Sequence, residues 1–398
     1  MNIFIARFNY IFLSIFLSFT TVMSSQNKLE PNCGTIITSE IAKYYKSLKP
    51  LLKTYEQDFS QIKFNKRKNN KRKEVIHSIP IKAHVIRASD GSGGINTYVL
   101  NKAFKNLNSI YTDAFMSFFL YDGINYIDND NLCHFNKDKE QSLTKTTYVS
   151  GIINIYFTDY IENASKESIC GYSDTTIGKN DIIIMKNKCT TNNSSLAHEL
   201  GHLFSLIHTH GPDNNKITSE LVNGSNCDTD GDGICDTPAD PKLSSSKIDN
   251  FCKYKGNETD SNGDIFSPDT GNIMSYSRKA CRNHFSTQQL ARMYAYYKSQ
   301  ENRFIISSEE PDTNIESKQT NELNDIKVYP NPIKNDVLFV KTNNTKDILN
   351  YKITNLVGQI FLSGNLSNQP ISFKNLPYGS YLLTLESKHS KIIKKIIK

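Results

Sequence analysis

The chain has 398 residues, of which 38% are hydrophobic and 22% are charged, and it carries a formal net charge of +7. Its length accommodates roughly two to three domains, and its composition is that of an ordinary soluble globular protein. Much of the positive charge lies in two basic clusters, at Lys66–Lys73 and Lys391–Lys398, and neither is interleaved with aromatic residues. We therefore expect no nucleic-acid partner.

The first 25 residues predict export. Arg7 precedes a largely apolar run from Ile11 to Phe19, and the small residues Ser24 and Ser25 suit cleavage. The run is shorter than the roughly 20 apolar residues of a membrane-spanning helix. It indicates a secretory signal peptide at 1–25, with an N-terminal anchor helix as the alternative. No later stretch predicts a membrane span, so we expect a secreted or cell-surface-attached mature protein.

Residues 26–74 predict a prosegment. They contain a helical pattern from Ile41 to Phe59 and then the basic cluster Lys66–Lys73, which includes Asn69 and Asn70. Such a composition is typical of an exposed linker that a trypsin-like protease can cleave. The alternative is a charged run that is simply solvated.

A mixed α+β catalytic domain is predicted at 75–305. Alternating or continuous apolar residues predict strands at Ile79–Ile86, Phe115–Tyr121, Gly151–Phe157 and Asp181–Met185, a helix at Asn96–Phe115, a loop beginning at Cys170 and a closing helix at Phe285–Tyr297. This order implies a twisted, mixed sheet beside an active-site cleft. His84 lies within the first of these strands, where we expect a structural role.

The stretch Ala197–Gly211 contains the residues that predict a catalytic zinc site. His198 and His202 are four residues apart, so they share one face of a helix, and Glu199 lies beside them. H-E-x-x-H is the pattern of two zinc ligands with a general base between them. His208, six residues further on, suits a third ligand, which leaves the fourth position to water.

Eight cysteines fit an exported protein. Cys33 either binds the zinc as a thiolate, which would silence a zymogen, or pairs with Cys133. Cys227, Cys235, Cys252 and Cys281 follow the zinc motif, and their three possible connectivities stay open. Cys170 and Cys189 lie just before the motif.

Two further segments follow the zinc motif. The segment Cys227–Pro238 contains residues with side-chain oxygens, which predict a calcium site; a solvated Asp-Gly turn is the alternative. These residues are Asp228, Asp230, Asp232, Asp236 and Thr237. Further along, Met274 and Tyr276 follow a long irregular loop, and a buried Met274 would form an apolar base beneath the histidines.

A linker and a second module complete the chain. Residues 306–325 are polar and nearly free of apolar side chains, which predicts a linker. Residues 326–398 contain short strand patterns between Asn, Gly and Pro turns, which predicts a small all-β sandwich of about seven strands.

Together, these motifs resemble the pappalysin family of metzincin zinc endopeptidases. The resemblance rests on H-E-L-G-H with His208, G-D-G-I-C-D-T-P at 231–238, N-I-M-S-Y at 272–276 and C-R-N-H-F-S-T-Q-Q at 281–289. It implies that His198, His202 and His208 bind zinc and that Glu199 is the general base. It also implies a Met-turn at Met274, a role for Tyr276 beside the zinc, and calcium most plausibly at Asp232 and Thr237.

The C-terminal module resembles a type IX secretion sorting domain. V-Y-P-N-P at 328–332, L-P-Y-G-S-Y at 376–381 and the basic end carry this resemblance. It implies that the secretion machinery is a partner and that export passes through the periplasm.

One residue departs from the metzincin pattern, because Ser205 stands where glycine is expected. Glycine there allows a sharp bend that costs other residues about 1 kcal/mol or somewhat more. Since metal binding at tight structural sites is worth about 10 kcal/mol or more, we expect Ser205 to be tolerated, although it could loosen the site. The prediction is thus a secreted zinc endopeptidase acting on proteins or peptides, and the alternative is a non-catalytic binding protein or adhesin on the same scaffold.

Overall fold

The computed structural model describes residues 33–68, 76–174, 181–304, 327–341, 348–355, 359–366, 370–387 and 391–398. The predicted signal peptide at 1–25, the predicted linker at 306–325, and residues 69–75 that include much of the basic cluster lie outside these ranges. None of the described helices is long and apolar enough to cross a membrane.

Seven strands precede the interdomain region: β1 His77–Arg87, β2 Met116–Asp128, β3 His134–Asn136, β4 Ile153–Thr158, β5 Tyr160–Glu162, β6 Gly171–Ser173 and β7 Ile182–Lys186. Five of them form one mixed sheet in the order β2-β1-β4-β7-β6. All neighbours in this sheet are parallel except β6, which runs antiparallel to β7. Strands β3 and β5 form a separate parallel pair.

The centre of the sheet is buried on both faces, which is why β4 and β7 have continuous apolar sequences. Every residue of β4 is buried, as are the first four of β7. One prediction was wrong at this edge: the segment after Cys170 is not a loop but the short edge strand β6, which is too short to show periodicity. His84 lies in β1, where its ring stacks on Tyr156 with centroids 4.2 Å apart and its Nε2 lies 3.0 Å from Asn154 Oδ1.

Seven α-helices surround the sheet: α1 Ser39–Lys68, α2 Thr97–Tyr111, α3 Asp130–Cys133, α4 Glu140–Thr147, α5 Asn187–Thr190, α6 Ser195–Leu203 and α7 Thr287–Ser299. Asn96 caps α2 by accepting from Tyr98 N. Ser286 caps α7 in a capping box with Gln289, so the helix begins at Thr287, two residues after the predicted start at Phe285.

Helix α1 is longer than the helical pattern at Ile41–Phe59 predicts, since it extends to Lys68 and so enters the basic cluster. It packs against α7 through Phe59, which is fully buried and lies 5.5 Å from the ring of Tyr294. Arg292 of α7 forms an ion pair with Glu56 of α1. The helix is therefore packed against the body of the molecule, with its end pointing into the cluster.

The C-terminal part is all β. Its strands are β8 Lys327–Lys334, β9 Val337–Lys341, β10 Ile348–Asn355, β11 Ile360–Asn365, β12 Ile371–Ser372, β13 Ser380–Ser387 and β14 Lys391–Ile397. They form a four-stranded sheet, β11-β10-β13-β14, and a three-stranded sheet, β12-β9-β8. Both contribute to one core that includes Leu338, Phe373 and Leu383. The basic end of the chain is strand β14, antiparallel to β13.

Three disulfides resolve the connectivity that the sequence left open: Cys170–Cys189, Cys227–Cys235 and Cys252–Cys281. Cys33 and Cys133 are both free thiols, so the two do not pair with each other. The first disulfide joins the residue just before β6 to α5, which precedes the helix that carries the H-E-x-x-H motif.

Candidate metal centre and active site

Helix α6 presents the H-E-x-x-H motif from the interior of the molecule, since all nine of its residues are buried. The side chain of Asn192 holds its start by accepting from Ser194 N and Ser195 N at 3.1 and 2.8 Å. At its end, Ser205 adopts a left-handed conformation with φ of 69°, and its N–H donates to His202 O at 3.0 Å. This bend turns the chain so that His208 returns toward the helix.

The three histidines converge on one point. His202 Nε2 lies 3.2 Å from His198 Nε2 and 3.1 Å from His208 Nε2. Tetrahedral zinc with Zn–N bonds of about 2.0–2.1 Å places its ligand atoms about 3.3 Å apart. The observed spacing therefore fits a zinc ion held by the three Nε2 atoms.

Backbone carbonyls orient two of these rings. His198 Nδ1 lies 2.7 Å from Ile273 O, and His202 Nδ1 lies 2.9 Å from Leu206 O. A proton on each Nδ1 leaves the Nε2 lone pair directed at the common point, as metal ligands require. Burial lowers the pKa of all three histidines, that of His202 to about 4, so the neutral ligand form is favoured.

Glu199 lies beside this point and is 1% exposed. Burial raises the pKa of its carboxyl to about 7, although hydrogen bonds from Cys33 and Thr35 act in the opposite direction. Thr35 Oγ1 donates to Glu199 Oε2 at 3.0 Å. A carboxyl group whose pKa lies near neutrality suits a role in which it accepts and then returns a proton.

Cys33 is the fourth member of the cluster. Its Sγ lies 3.5 Å from His202 Nε2 and 3.4 Å from Glu199 Oε2, and the ligand atoms of Cys33 and the three histidines all lie within 4.8 Å of one another. Burial beside Glu199 raises the pKa of the thiol, so a thiolate here needs a cation in the cluster. Zinc would supply that charge.

The segment around Cys33 follows edge strand β6. Gly34 N donates to Gly171 O at 2.8 Å, and Ser173 N donates to Thr35 Oγ1 at 2.9 Å. A Cβ on Gly34 would lie 2.3 Å from Ile169 Cδ1, so a side chain at this position would require Ile169 to move. Residues 33–35 thus lie in the cleft as an extended peptide, and no sequence motif indicated a role for Thr35.

Met274 lies directly beneath α6 and is fully buried. A Cβ on Gly201 would meet Met274 Sδ at 2.6 Å, so the absence of a side chain at Gly201 allows the contact. Thr209 N donates to Met274 O at 3.3 Å, which ties the segment after His208 to this turn. Met274 therefore forms an apolar base for the cluster.

Tyr276 and His210 border His208. The ring of Tyr276 lies 4.5 Å from that of His208, and its hydroxyl donates to Cys33 O at 3.4 Å. His210 stacks on His208 with centroids 5.1 Å apart, but its Nε2 lies 2.9 Å from Asn214 Oδ1. His210 is not among the residues whose ligand atoms form the cluster.

Arg282 is a part of the site that motif reading missed. It is 6% exposed, and it donates to Ser275 O and to Ser194 Oγ, each at 3.1 Å. It thereby links the turn that carries Met274 to the start of α6. An arginine within a cysteine-rich motif, C-R-N-H, was the available signal, but its partner Ser194 is 88 residues away in the chain.

The carboxylates of the Asp-rich loop, within residues 227–238, have different surroundings and different partners. Asp232 is buried, with Oδ1 accepting from Thr237 Oγ1 at 2.9 Å and Oδ2 without a hydrogen-bond partner in the described structure. Glu220, which the sequence did not single out, also has a buried oxygen without such a partner. Burial and then Asp232 raise its pKa to about 8.

Two other calcium candidates, Asp236 and Asp230, have different hydrogen-bond partners. Asp236 accepts from Ser286 Oγ at 2.6 Å and Gln288 N at 2.9 Å, so it caps the start of α7. Asp230 accepts from Ser219 Oγ and Thr229 Oγ1 near the surface. Of the five residues predicted for calcium, the structure thus brings Asp232 and Thr237 into direct contact.

Comparison with known proteins agrees with this geometry. Residues 155–298 match the peptidase family model described as pregnancy-associated plasma protein-A, and residues 327–398 match the secretion system C-terminal sorting domain. Extracellular metalloproteases of Arthroderma benhamiae and Trichophyton verrucosum are each 29% identical over 234 residues, covering 54% of this chain and 70% of the relative. One from Colletotrichum graminicola is 27% identical over 242 residues, covering 55% and 76%.

Two solved structures also match, both at 12% identity and a TM-score of 0.25. The match to metalloproteinase-II from Bacteroides fragilis covers 35% of this chain and 46% of the chain in that structure. The match to catalytically inactive OgpA from Akkermansia muciniphila, in complex with an O-glycopeptide substrate, covers 81% of this chain and 93% of the chain in that structure. Scores this low carry no inference about the fold, so the family models and the curated relatives decide. The chain is a secreted or surface-attached zinc metalloendopeptidase; its residues 155–298 are similar to the pregnancy-associated plasma protein-A peptidases, and its residues 327–398 match the secretion sorting domain.

Proposed function

We propose that His198, His202 and His208 hold the zinc and that Glu199 is the general base of peptide hydrolysis. The convergence of three Nε2 atoms beside a buried carboxylate carries this proposal. When bound, zinc lowers the pKa of water to about 7 and polarises a carbonyl oxygen. Glu199 accepts a proton from the attacking water and then delivers it to the leaving amine.

Tyr276 is proposed to stabilise the developing oxyanion. In the structure its hydroxyl donates to Cys33 O at 3.4 Å, which is the carbonyl of a peptide lying in the cleft. A substrate carbonyl in the same place would receive the same hydrogen bond. Met274, beneath α6, would keep the histidine cluster rigid by packing rather than by chemistry.

The segment that contains Cys33 and Thr35 is proposed to inhibit the peptidase until the prosegment is cleaved. Residues 26–74 form the prosegment, the catalytic domain spans 75–305, and Cys33 occupies the fourth ligand position as a thiolate. Thr35, which donates to Glu199 at 3.0 Å, would neutralise the base at the same time. Cleavage in the basic cluster separates α1 from the catalytic chain and lets the segment leave.

The remaining parts have structural or transport roles in this proposal. Calcium, held by Asp232 with help from Thr237 and Glu220, would allow both buried carboxylates to stay ionised. The module at 326–398, beyond the linker at 306–325, would address the protein to the secretion machinery. Export through the periplasm to the cell surface or the medium follows, with proteins or peptides as substrates.

Replacing Glu199 tests the mechanism. In the trypsin-processed full chain, Glu199→Ala should bind one zinc per chain by metal analysis, yet lose casein cleavage by a factor of about 10² or more. A chelator should abolish the activity of the unsubstituted protein, and added zinc should restore it. Cleavage of casein by Glu199→Ala at the unsubstituted rate would refute the role of Glu199, and chelator-insensitive cleavage would refute the metal mechanism.

A further inference from the structure

His210 is buried against the site, although it is not one of the proposed zinc ligands. It is 2% exposed, its ring stacks on that of His208 with centroids 5.1 Å apart, and it lies 4.9 Å from the ring of Tyr276. Among the described residues, His210 does not belong to the cluster of converging ligand atoms. A buried imidazole in this position therefore needs a role other than binding the metal.

The hydrogen bond of His210 defines which ring nitrogen carries the proton. Its Nε2 lies 2.9 Å from Asn214 Oδ1. An amide oxygen can only accept, so Nε2 is the donor. The Nδ1 atom is buried and has no hydrogen-bond partner in the described structure. The polar contact of the ring is therefore directed at Asn214, which is also held through its backbone carbonyl by the ammonium group of Lys242.

Asn214 connects His210 to Tyr276. Burial raises the pKa of the Tyr276 hydroxyl well above its usual range, and a hydrogen bond with the side chain of Asn214 acts in the opposite direction. Because Asn214 Oδ1 accepts from His210, its amide Nδ2 is the group that donates to the oxygen of Tyr276. The hydroxyl of Tyr276 then donates to Cys33 O at 3.4 Å. All three of these residues, Asn214, Tyr276 and Cys33, line the same cleft.

The three hydrogen bonds run in one direction, from His210 to Asn214, from Asn214 to Tyr276, and from Tyr276 to a carbonyl in the cleft. Hydrogen bonds in such a chain polarise one another, by about 10–30% per bond. The bond from Asn214 also occupies a lone pair of the Tyr276 oxygen, which leaves the hydroxyl proton for the cleft. The arrangement therefore both orients the hydroxyl of Tyr276 and strengthens it as a donor.

We propose that His210 and Asn214 are positioning residues, which direct the hydroxyl of Tyr276 at the carbonyl oxygen of the scissile bond. The inference rests on the proposed function, because it takes Tyr276 as the group that stabilises the oxyanion. Both residues act through Tyr276 and strengthen an interaction that matters most in the transition state. Their loss should therefore lower kcat and leave KM nearly unchanged.

Asn214→Asp tests the inference with almost no change of shape. Its carboxylate can still accept from His210, but it has no proton for Tyr276 and instead draws the tyrosine hydroxyl away from the cleft. The assay uses the trypsin-processed full chain, with trypsin inhibited and zinc in excess, and a quenched fluorescent peptide containing a bond that the enzyme cleaves in casein. We expect kcat to fall about tenfold and KM to stay within about twofold. An unchanged kcat would overturn the inference.

Two further variants complete this assay. His210→Phe keeps an aromatic ring against His208 and removes the donor to Asn214, and it should lower kcat about threefold. An unchanged kcat in His210→Phe would overturn the role of His210. Asn262 is exposed on a different loop, so Asn262→Asp makes the same chemical change as Asn214→Asp away from the site and should leave kcat unchanged.

A double-mutant cycle distinguishes positioning from general structural support. Tyr276→Phe should lower kcat about 10²-fold, as expected for the loss of one oxyanion donor. In the Tyr276→Phe background, Asn214→Asp should lower kcat further by less than about twofold, because the hydroxyl that Asn214 directs is gone. The same tenfold loss in both backgrounds would show that Asn214 does not act through Tyr276, and would overturn the inference.

The hydrogen bond from His210 can be measured without catalysis. In the full chain labelled with ¹⁵N-histidine, NMR signals that disappear in His210→Phe belong to His210. We expect a proton on its Nε2 and a change in the Nε2 chemical shift in Asn214→Ala. An Nε2 without a proton, or a chemical shift that does not respond to Asn214→Ala, would overturn the inference.

The outcome for Tyr276 separates this inference from the rest of the proposed function. If Tyr276→Phe retains kcat while Glu199→Ala loses it, the inference fails, and the roles of zinc and Glu199 stand. Absence of chelator-sensitive cleavage of casein would overturn the proposed function and the inference together. Bound zinc and Tm, measured for each variant, should match the unsubstituted protein and so show that a lower kcat does not come from unfolding.

Discussion

A single substitution at Ser205 should raise the thermodynamic stability of the protein. Its φ of 69° places a residue with a Cβ in the left-handed region, which costs about 1 kcal/mol. Its hydroxyl is also buried without a hydrogen-bond partner in the described structure, which costs about 1 kcal/mol or more. Removing both costs in Ser205→Gly should raise the free energy of unfolding by about 2 kcal/mol.

Thermal unfolding by calorimetry, in excess zinc, measures this gain. For a domain of this size about 2 kcal/mol corresponds to a rise in Tm of about 4–8 °C. Ser205→Ala separates the two contributions, because it removes the hydroxyl and keeps the strained backbone. We expect Ser205→Ala to gain about half as much as Ser205→Gly.

Two outcomes would refute this reasoning. If Ser205→Ala equals Ser205→Gly, the left-handed conformation costs nothing, and only the buried hydroxyl matters. If neither variant exceeds the unsubstituted protein in Tm, the strain at this bend has been misread. Retention of zinc by both variants, measured against a competing chelator, would show that the bend still delivers His208.

Three more predictions concern activation and metal. Cys33→Ala in the full chain should cleave casein without trypsin treatment, because the thiolate ligand is gone, while Cys133→Ala should remain silent; equal silence would reject the switch. N-terminal sequencing of secreted protein should begin between Asn69 and His77, and a start at Gln26 would remove the prosegment. Calcium at about 100 times its Kd should raise Tm by about 5–10 °C, and Asp232→Asn should abolish that rise; an equal rise in both proteins would exclude this site.

The parts of the site that follow from local spacing could be predicted from the sequence. His198 and His202 share a helical face because they are four residues apart, and the helix predicted at Phe285–Tyr297 is α7, Thr287–Ser299. The paired strands around β4 were also predictable, because burial on both faces gives long apolar runs. In each case the physical cause lies within a few residues of the signal.

What the sequence could not supply depends on contacts between distant segments. Thr35 reaches Glu199 across 164 positions, and Arg282 reaches Ser194 across 88. No sequence motif singled out Glu220, because its burial near Asp232 depends on the tertiary fold. The disulfide connectivity likewise became definite only with the tertiary structure, because several pairings had compatible spacing.

Gln289 supports the site through its hydrogen bonds, and an activity assay alone would not distinguish its loss from the loss of a catalytic residue. Its side-chain oxygen accepts from Ser286 N and from Asn272 Nδ2, both at 2.9 Å, and the residue is fully buried. The same amide therefore serves the helix cap and the turn that carries Met274. A saturation screen scored by proteolysis alone would rank Gln289 with the catalytic residues, whereas a parallel screen scored by protein abundance would rank Gln289, and not Glu199, as damaging.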